Sequence, residues 1–122
     1  MESPALATRA HGPVSQRELL GLVLGCAARR SATFAQAEFA LIAAGAGTDP
    51  RPLARELLTD LAIRGWIVIR LRAADGAEQE IERRHWEFEF AAERSWEEPV
   101  TDCACFALTE RGLERLGRAS GR

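Results

Sequence analysis

Cys103 and Cys105 stand at alternate positions of the run CACFAL, with His85 upstream of them. Thiol and imidazole are the side chains that hold zinc or form a nucleophile and its base. A zinc site takes four ligands at spacings a turn can bring together. Here both thiols lie in a strand-like run and point to one side, His85 joins them only if its own segment lies alongside, and no fourth ligand is present. A Cys–His nucleophile needs a third group to orient the imidazole and donors for an oxyanion, and neither can be named. Cys103 and Cys105 therefore read as small packing residues. Cys26 lies in an apolar helical run and reads as core, and His11 as a solvent-exposed residue of a leader. The chain carries no G-x-G-x-x-G, no P-loop and no glycine-rich phosphate cradle, and Gly45 and Gly47 read as a turn. No catalytic residue, metal or cofactor is expected, and the chain is not expected to be an enzyme.

The elements that position these residues are organised around Asp49 to Leu71, DPRPLARELLTDLAIRGWIVIRL. Asp49 suits an N-cap and Pro50 the first helical position, where its missing N–H loses nothing. Leu53, Leu57 and Leu61, with Ala54 and Leu58 beside them, make one apolar face. Gly65 stops the helix. Trp66 to Arg72 is rich in β-branched residues and has the length of a strand.

Upstream, residues 1–13 carry Gly12-Pro13 and no hydrophobic period, which predicts a disordered leader. Ser15 and Glu18 form a capping box, with Val14 and Leu19 at the positions of a hydrophobic staple. Leu19, Leu20, Leu22, Val23, Leu24 and Cys26 then cover most of a helix's circumference, so its second side is buried by a subunit contact or by the sheet. Thr33 and Gln36 offer a second capping box, before a helix carrying Phe34, Ala37, Phe39, Leu41 and Ile42 and ending near Ala44. Gly45 to Thr48 makes the turn into Asp49, a helix-turn-helix arrangement.

Downstream, Ala73 to Gly76 supplies a turn. His85-Trp86-Glu87-Phe88-Glu89-Phe90 alternates aromatic with charged residues as a half-buried strand does. Glu78 to Arg84 either lengthens that strand or forms a helical turn. Ala91 to Val100 reads as a loop, Thr101 to Leu108 as a third strand, and Thr109 as the cap of a short helix with Leu113 and Leu116 inward. Residues 118–122 read as a disordered tail. The expected core is Leu19, Leu22, Val23, Phe34, Leu41, Leu57, Leu61, Ile67, Ile69, Phe106, Leu108 and Leu116.

The helix running into a strand through L..L..RGWI resembles the third helix and first wing strand of winged helix-turn-helix proteins. CFALTERGLERL is similar to the ending of several winged-helix regulator families, MarR-like and PadR-like among them. The resemblance spans most of Ser15 to Leu116 and implies an α+β fold over residues 14–117: three helices, a β-hairpin wing, a third strand and a short C-terminal helix. Such folds bind DNA in some proteins and other proteins in others.

Length and charge bear on that choice. The 122 residues, 47% of them hydrophobic, fit one domain. The longest apolar run, Leu19 to Ala28, is too short to span a bilayer, no signal peptide precedes it, and three cysteines make no disulfide framework, so a cytoplasmic protein is expected. The net charge of −2 is unevenly spread: 6 carboxylates against 9 arginines in residues 1–72, 10 against 3 in 73–102, and 2 against 4 in 103–122.

On a helix from 50 to 64, Arg51, Arg55, Thr59 and Arg64 lie on the outward arc where a transcription regulator would read the major groove. Glu56 and Asp60 share that arc, and a wing so acidic repels duplex DNA. The other reading is a module that recognises a basic protein through the acidic wing, with Trp96 as an aromatic anchor beside Glu97 and Glu98. Trp96 has an alternative, folding back over the open face of the sheet. The excess apolar surface of the first helix predicts a homodimer.

Overall fold

The computed structural model describes residues 15–46, 49–97 and 102–119. The expected leader, Val14 of the staple, Gly47 and Thr48 of the turn, Glu98 of the acidic site and residues 120–122 of the tail lie outside them.

Three helices come first. α1 (Gln16–Cys26) begins at the predicted capping box: Ser15 N–H donates to Glu18 Oε1 at 3.0 Å, and Glu18 N–H to Ser15 Oγ at 3.1 Å. β1 is two residues, Ala32–Thr33, and Thr33 caps α2 (Phe34–Ala43) through a second box with Gln36. α3 (Pro50–Ile63) starts at its proline, but the Asp49 side chain makes no cap bond. Gly65 ends α3 at φ +79°, where its N–H bonds Ala62 O and the Trp66 N–H bonds Leu61 O, both at 3.0 Å. Glycine occupies that left-handed position without steric cost.

β2 (Ile67–Arg72), β3 (Glu78–Glu80) and β4 (Cys103–Leu108) complete an antiparallel sheet of order β1-β4-β2-β3. Ile69 opposes Phe106, which also opposes Ala32, so these share the face that meets the helices. The other face pairs Arg70 with Cys105 and Arg72 with Cys103. α5 (Glu110–Ala119) is the last element among the described residues and runs further than the expected helix to Leu116. Thr109 caps it, its Oγ1 accepting from Gly112 N–H at 3.1 Å and donating to Gly65 O at 2.6 Å. Among the described residues the fold is thus α+β, with five helices and a four-stranded antiparallel sheet. No helix among them is long and apolar enough to cross a membrane.

The connection from β2 to β4 departs most from expectation. His85 to Phe90 is not a strand: Arg83–His85 forms a 3-10 turn that runs into α4 (Trp86–Ala91). The hairpin is closed by Glu78–Glu80, whose backbone pairs with Arg70–Arg72 around the Ala73–Ala77 turn. A second 3-10 turn, Glu93–Trp96, occupies part of the expected loop. Coiled as α4, Trp86 and Phe90 share one side and Phe88 points away. Phe90 is 3% exposed and Phe88 68%.

Of the twelve expected core residues nine are buried in it, and Leu108 and Leu116 pack at its margin. Leu22 is a correction, 39% exposed, because Leu20 and Leu24 take the inward side of α1 beside Leu19 and Val23. Leu113 is likewise exposed and not inward. Phe39 and Ile42 lie on the solvent side of α2, 70% and 54% exposed.

Candidate functional site

The thiols and imidazole do not form a site. Cys103 and Cys105 are buried on β4, whereas His85 is exposed in its 3-10 turn, so the strand that was to carry it alongside them is absent. Among the described residues no group of three or more His, Cys, Asp or Glu side chains converges as metal ligands would. Burial, with the nearby Glu78 charge adding, pushes the Cys105 thiol up to about 11, and burial also raises that of Cys26. Thiols so held are protonated and weakly nucleophilic.

The residues proposed for DNA contact are brought together on α3, and each is already engaged. Arg51 bonds Glu38 of α2 at 3.3 Å and both oxygens of Glu93 at 3.0 Å. Burial opposes the Arg51 charge, but the bonds to Glu93 and Glu38 outweigh it and raise its pKa above the ordinary value. Arg55 pairs with Glu87 of α4 and lies 5.9 Å from the centre of the Phe90 ring. The Thr59 hydroxyl donates to Arg55 O of its own helix at 2.8 Å. Arg64 donates to Asp60 at 2.8 Å, the pair its i,i+4 spacing predicts, and its guanidinium lies 5.1 Å from the Trp66 ring centre.

The protein-contact residues divide. Trp96 is 4% exposed and cannot be a surface anchor. Its ring packs 5.2 Å from Phe34, its Nε1–H donates to Phe90 O at 2.8 Å, and Phe90 stacks on Phe34 at 5.0 Å. Trp96 does fold back, but its contacts are Phe34 at the N-terminal end of α2, Phe90 of α4 and Arg51 of α3, and not the open face of the sheet that the alternative named. Glu97 is exposed.

The acidic segment is also less free than its composition suggests. Of its ten carboxylates, Glu78, Glu82, Glu87, Glu89 and Glu93 are each paired with an arginine. Four of the arginines involved, Arg51, Arg55, Arg70 and Arg72, come from the basic first part of the chain, so folding joins the two charge blocks. Glu89 is a buried carboxylate that accepts from Arg94 Nη2 at 2.9 and 3.0 Å and from Ser95 Oγ at 3.2 Å. Arg94 Nε–H also donates to Asp102 O at 2.8 Å, tying the segment to the start of β4. Within the segment the described carboxylates Asp75, Glu80, Glu97 and Asp102 are exposed and carry no salt bridge, and the same holds of Glu56 on α3.

Sequence reasoning missed the cover that α4 and the Glu93–Trp96 turn place over the N-terminal half of α3. The usable signal was Phe90 with Trp96, two large rings in a segment otherwise read as wing and loop. No family model, curated protein or solved structure matches the chain.

Proposed function

We propose that the chain is a non-enzymatic winged-helix module that recognises another protein through an acidic surface and does not read DNA. The winged-helix part is supported by the order α1, β1, α2, α3, β2 and β4, and by β4 lying between β1 and β2. The long β2–β4 connection occupies the place of the wing. The observation that carries the functional reading is the pairing of Arg51 and Arg55 with Glu93, Glu38 and Glu87.

Those ion pairs are partly exposed and weak, about 0–1 kcal/mol each. The cover is held by Phe90 and Trp96, and burying a large ring contributes roughly 2–3 kcal/mol. Swinging the cover aside to free the two arginines breaks part of the core, so the open form is a minor state. A phosphate backbone approaching α3 meets Glu56, Glu87 and Glu93 and finds no unpaired cation among Arg51, Arg55 and Arg64. Repulsion dominates, because non-specific DNA affinity comes from cations that displace counterions. On this reading the unpaired carboxylates Glu56 of α3, Glu80 of β3 and Glu97 beyond the Glu93–Trp96 turn steer a Lys- or Arg-rich protein.

Binding of the purified protein to random duplex DNA across a salt series tests this. No binding at low salt is expected. A salt-sensitive micromolar affinity would return the chain to the alternative, a DNA-binding transcription regulator using α3.

A further inference from the structure

An open cleft of about 1120 Å³ lies between the end of α1, the outer side of α2 and the β2–β3 hairpin. Its lining is of two kinds. Ala35, Phe39 and Ala40 make an apolar wall along α2, and Arg30, Ser31, Thr33, Gln36, Arg72 and Glu78 supply polar groups. Every side-chain acceptor among those polar groups is engaged. Glu78 Oε2 accepts from the Ser31 hydroxyl and from Arg72 Nε, and its Oε1 accepts from Arg70 Nη1 at 3.4 Å. Ser31 Oγ accepts from Arg72 Nη2 at 2.8 Å, Gln36 Oε1 from Thr33 N–H at 2.8 Å and Thr33 Oγ1 from Gln36 N–H at 3.1 Å. The Ser31 bond first, with the two arginines and against burial, holds the Glu78 carboxyl below its usual range, so it stays ionised.

What the side chains leave over is all donor. The Arg30 guanidinium makes no hydrogen bond or ion pair among the described residues, and neither Arg72 Nη1 nor Gln36 Nε2 carries one. Two guanidiniums face one carboxylate in the lining, a surplus of one positive charge. A sugar brings hydroxyl donors that find no free side-chain acceptor here, and a cation is repelled. An oxyanion meets free N–H groups whose planar forks match carboxylate and phosphate. Beside them Phe39, 70% exposed, offers an uncharged body a ring face to pack on.

We infer that this cleft binds a small amphipathic anion, a carboxylate or phosphate monoester on an apolar body. The charged end sits at Arg30 and Arg72 Nη1, with Gln36 Nε2 as a further donor, and the body rests on Phe39 and Ala40. The volume lies just above the few hundred to a thousand Å³ of ordinary ligand sites, so one such molecule fits with water beside it. The cleft uses none of the carboxylates assigned to protein recognition, so the two readings stand or fall separately.

Two-dimensional proton–nitrogen NMR of the full chain tests it, with phenylbutyrate, phenyl phosphate, inorganic phosphate and the uncharged phenylbutanol as probes. Saturable shifts at the amides of Arg30, Gln36, Phe39 and Gly76 are expected for the first two. Their dissociation constants should be about 0.1–1 mM, the affinity of a ligand of about a dozen atoms in an open site. The tighter of the two names the charged group. Arg30→Gln should weaken both anions about fivefold and leave phenylbutanol unchanged. Phe39→Ser should weaken both about fivefold and leave inorganic phosphate unchanged. Both positions are exposed, and unchanged spectra away from the cleft check that the variants fold. The inference is overturned if neither anion gives saturable shifts by about 10 mM, or if the shifts lie outside the cleft. Inorganic phosphate binding as tightly as phenyl phosphate would also overturn it, marking a bare charge patch, and so would phenylbutanol binding as tightly as the acid, marking a bare apolar one.

Discussion

The Arg51 guanidinium carbon lies 5.4 Å from the centre of the Trp96 ring while Nη1 of the same side chain bonds both oxygens of Glu93 at 3.0 Å. A residue spaced to touch DNA thus forms the lid of a buried tryptophan. The two layers differ in energy. Trp96→Ala should cost about 3–5 kcal/mol, the range for emptying a large aromatic from a core. Arg51→Ala removes partly exposed ion pairs and a cation–π contact and should cost only about 1 kcal/mol. Urea unfolding of both variants checks this, and a Trp96→Ala loss below that of Arg51→Ala would contradict it.

Freeing the arginines should create the activity the wild type lacks. Glu87→Gln with Glu93→Gln removes two charges over α3 and leaves Phe90 and Trp96 in place. This variant should gain weak duplex binding with a log–log salt slope of about −1 to −2, because Arg55 is freed outright while Arg51 keeps its bond to Glu38. Fluorescence anisotropy with a random duplex measures it, and a double variant as inert as wild type would show that the face is closed by shape and not by charge.

Gly112 marks where α5 lies against the end of α3. A Cβ there would sit 1.9 Å from the Trp66 carbonyl oxygen, which is backbone and cannot turn aside. Gly112→Ala should destabilise by about 1–3 kcal/mol despite alanine's better helix propensity. At Gly117 an added Cβ meets nothing within 4 Å, so Gly117→Ala should be neutral or stabilise by up to about 1 kcal/mol. Thermal melts that rank the two in the reverse order would refute this packing.

The Cys105 thiol, pushed up to about 11 by burial and Glu78, links stability to alkaline pH. The folded state holds its proton more tightly than the unfolded chain. The contribution is therefore fully present below the ordinary thiol value near 9.0 and is lost as pH climbs through 11. Cys105→Ala should flatten the fall in stability over that window, and a thiol reagent at pH 8 should leave Cys105 unmodified until the protein unfolds. Fast labelling of the native protein would show the strand opening locally.

What the sequence revealed and what it hid follow from the range of the interactions involved. Both capping boxes use residues three apart, so Ser15–Glu18 and Thr33–Gln36 announced α1 and α2 directly. α3 and its stop at Gly65 were written in leucine spacing and one glycine. Trp86 to Ala91 was not, because across six residues an alternation of aromatic and charged side chains satisfies a strand and a short helix alike. The strand completing the hairpin, Glu78-Gln79-Glu80, has no apolar signal, since an edge strand with wet faces is selected by its turn and backbone partners. The outward arc carrying Arg51, Arg55, Thr59 and Arg64 was legible. Its cover was not, because Glu87 and Glu93 reach those arginines only through the tertiary fold.

The sheet order has a consequence for how the molecule is made. β4 stands between β1 and β2, yet it follows them in the chain after the whole acidic segment. Until residues 103–108 arrive, Ala32 and Thr33 have no neighbour, and the helices face an empty slot where Phe106 will sit. Local helix formation is fast, whereas pairing Ala32 with Phe106 must first close a long loop. Pulse-labelled hydrogen exchange should therefore find the amides of α1 and α3 protected before those of β1 and β4. The helical half waits, with its apolar side uncovered, for a strand from near the far end of the chain.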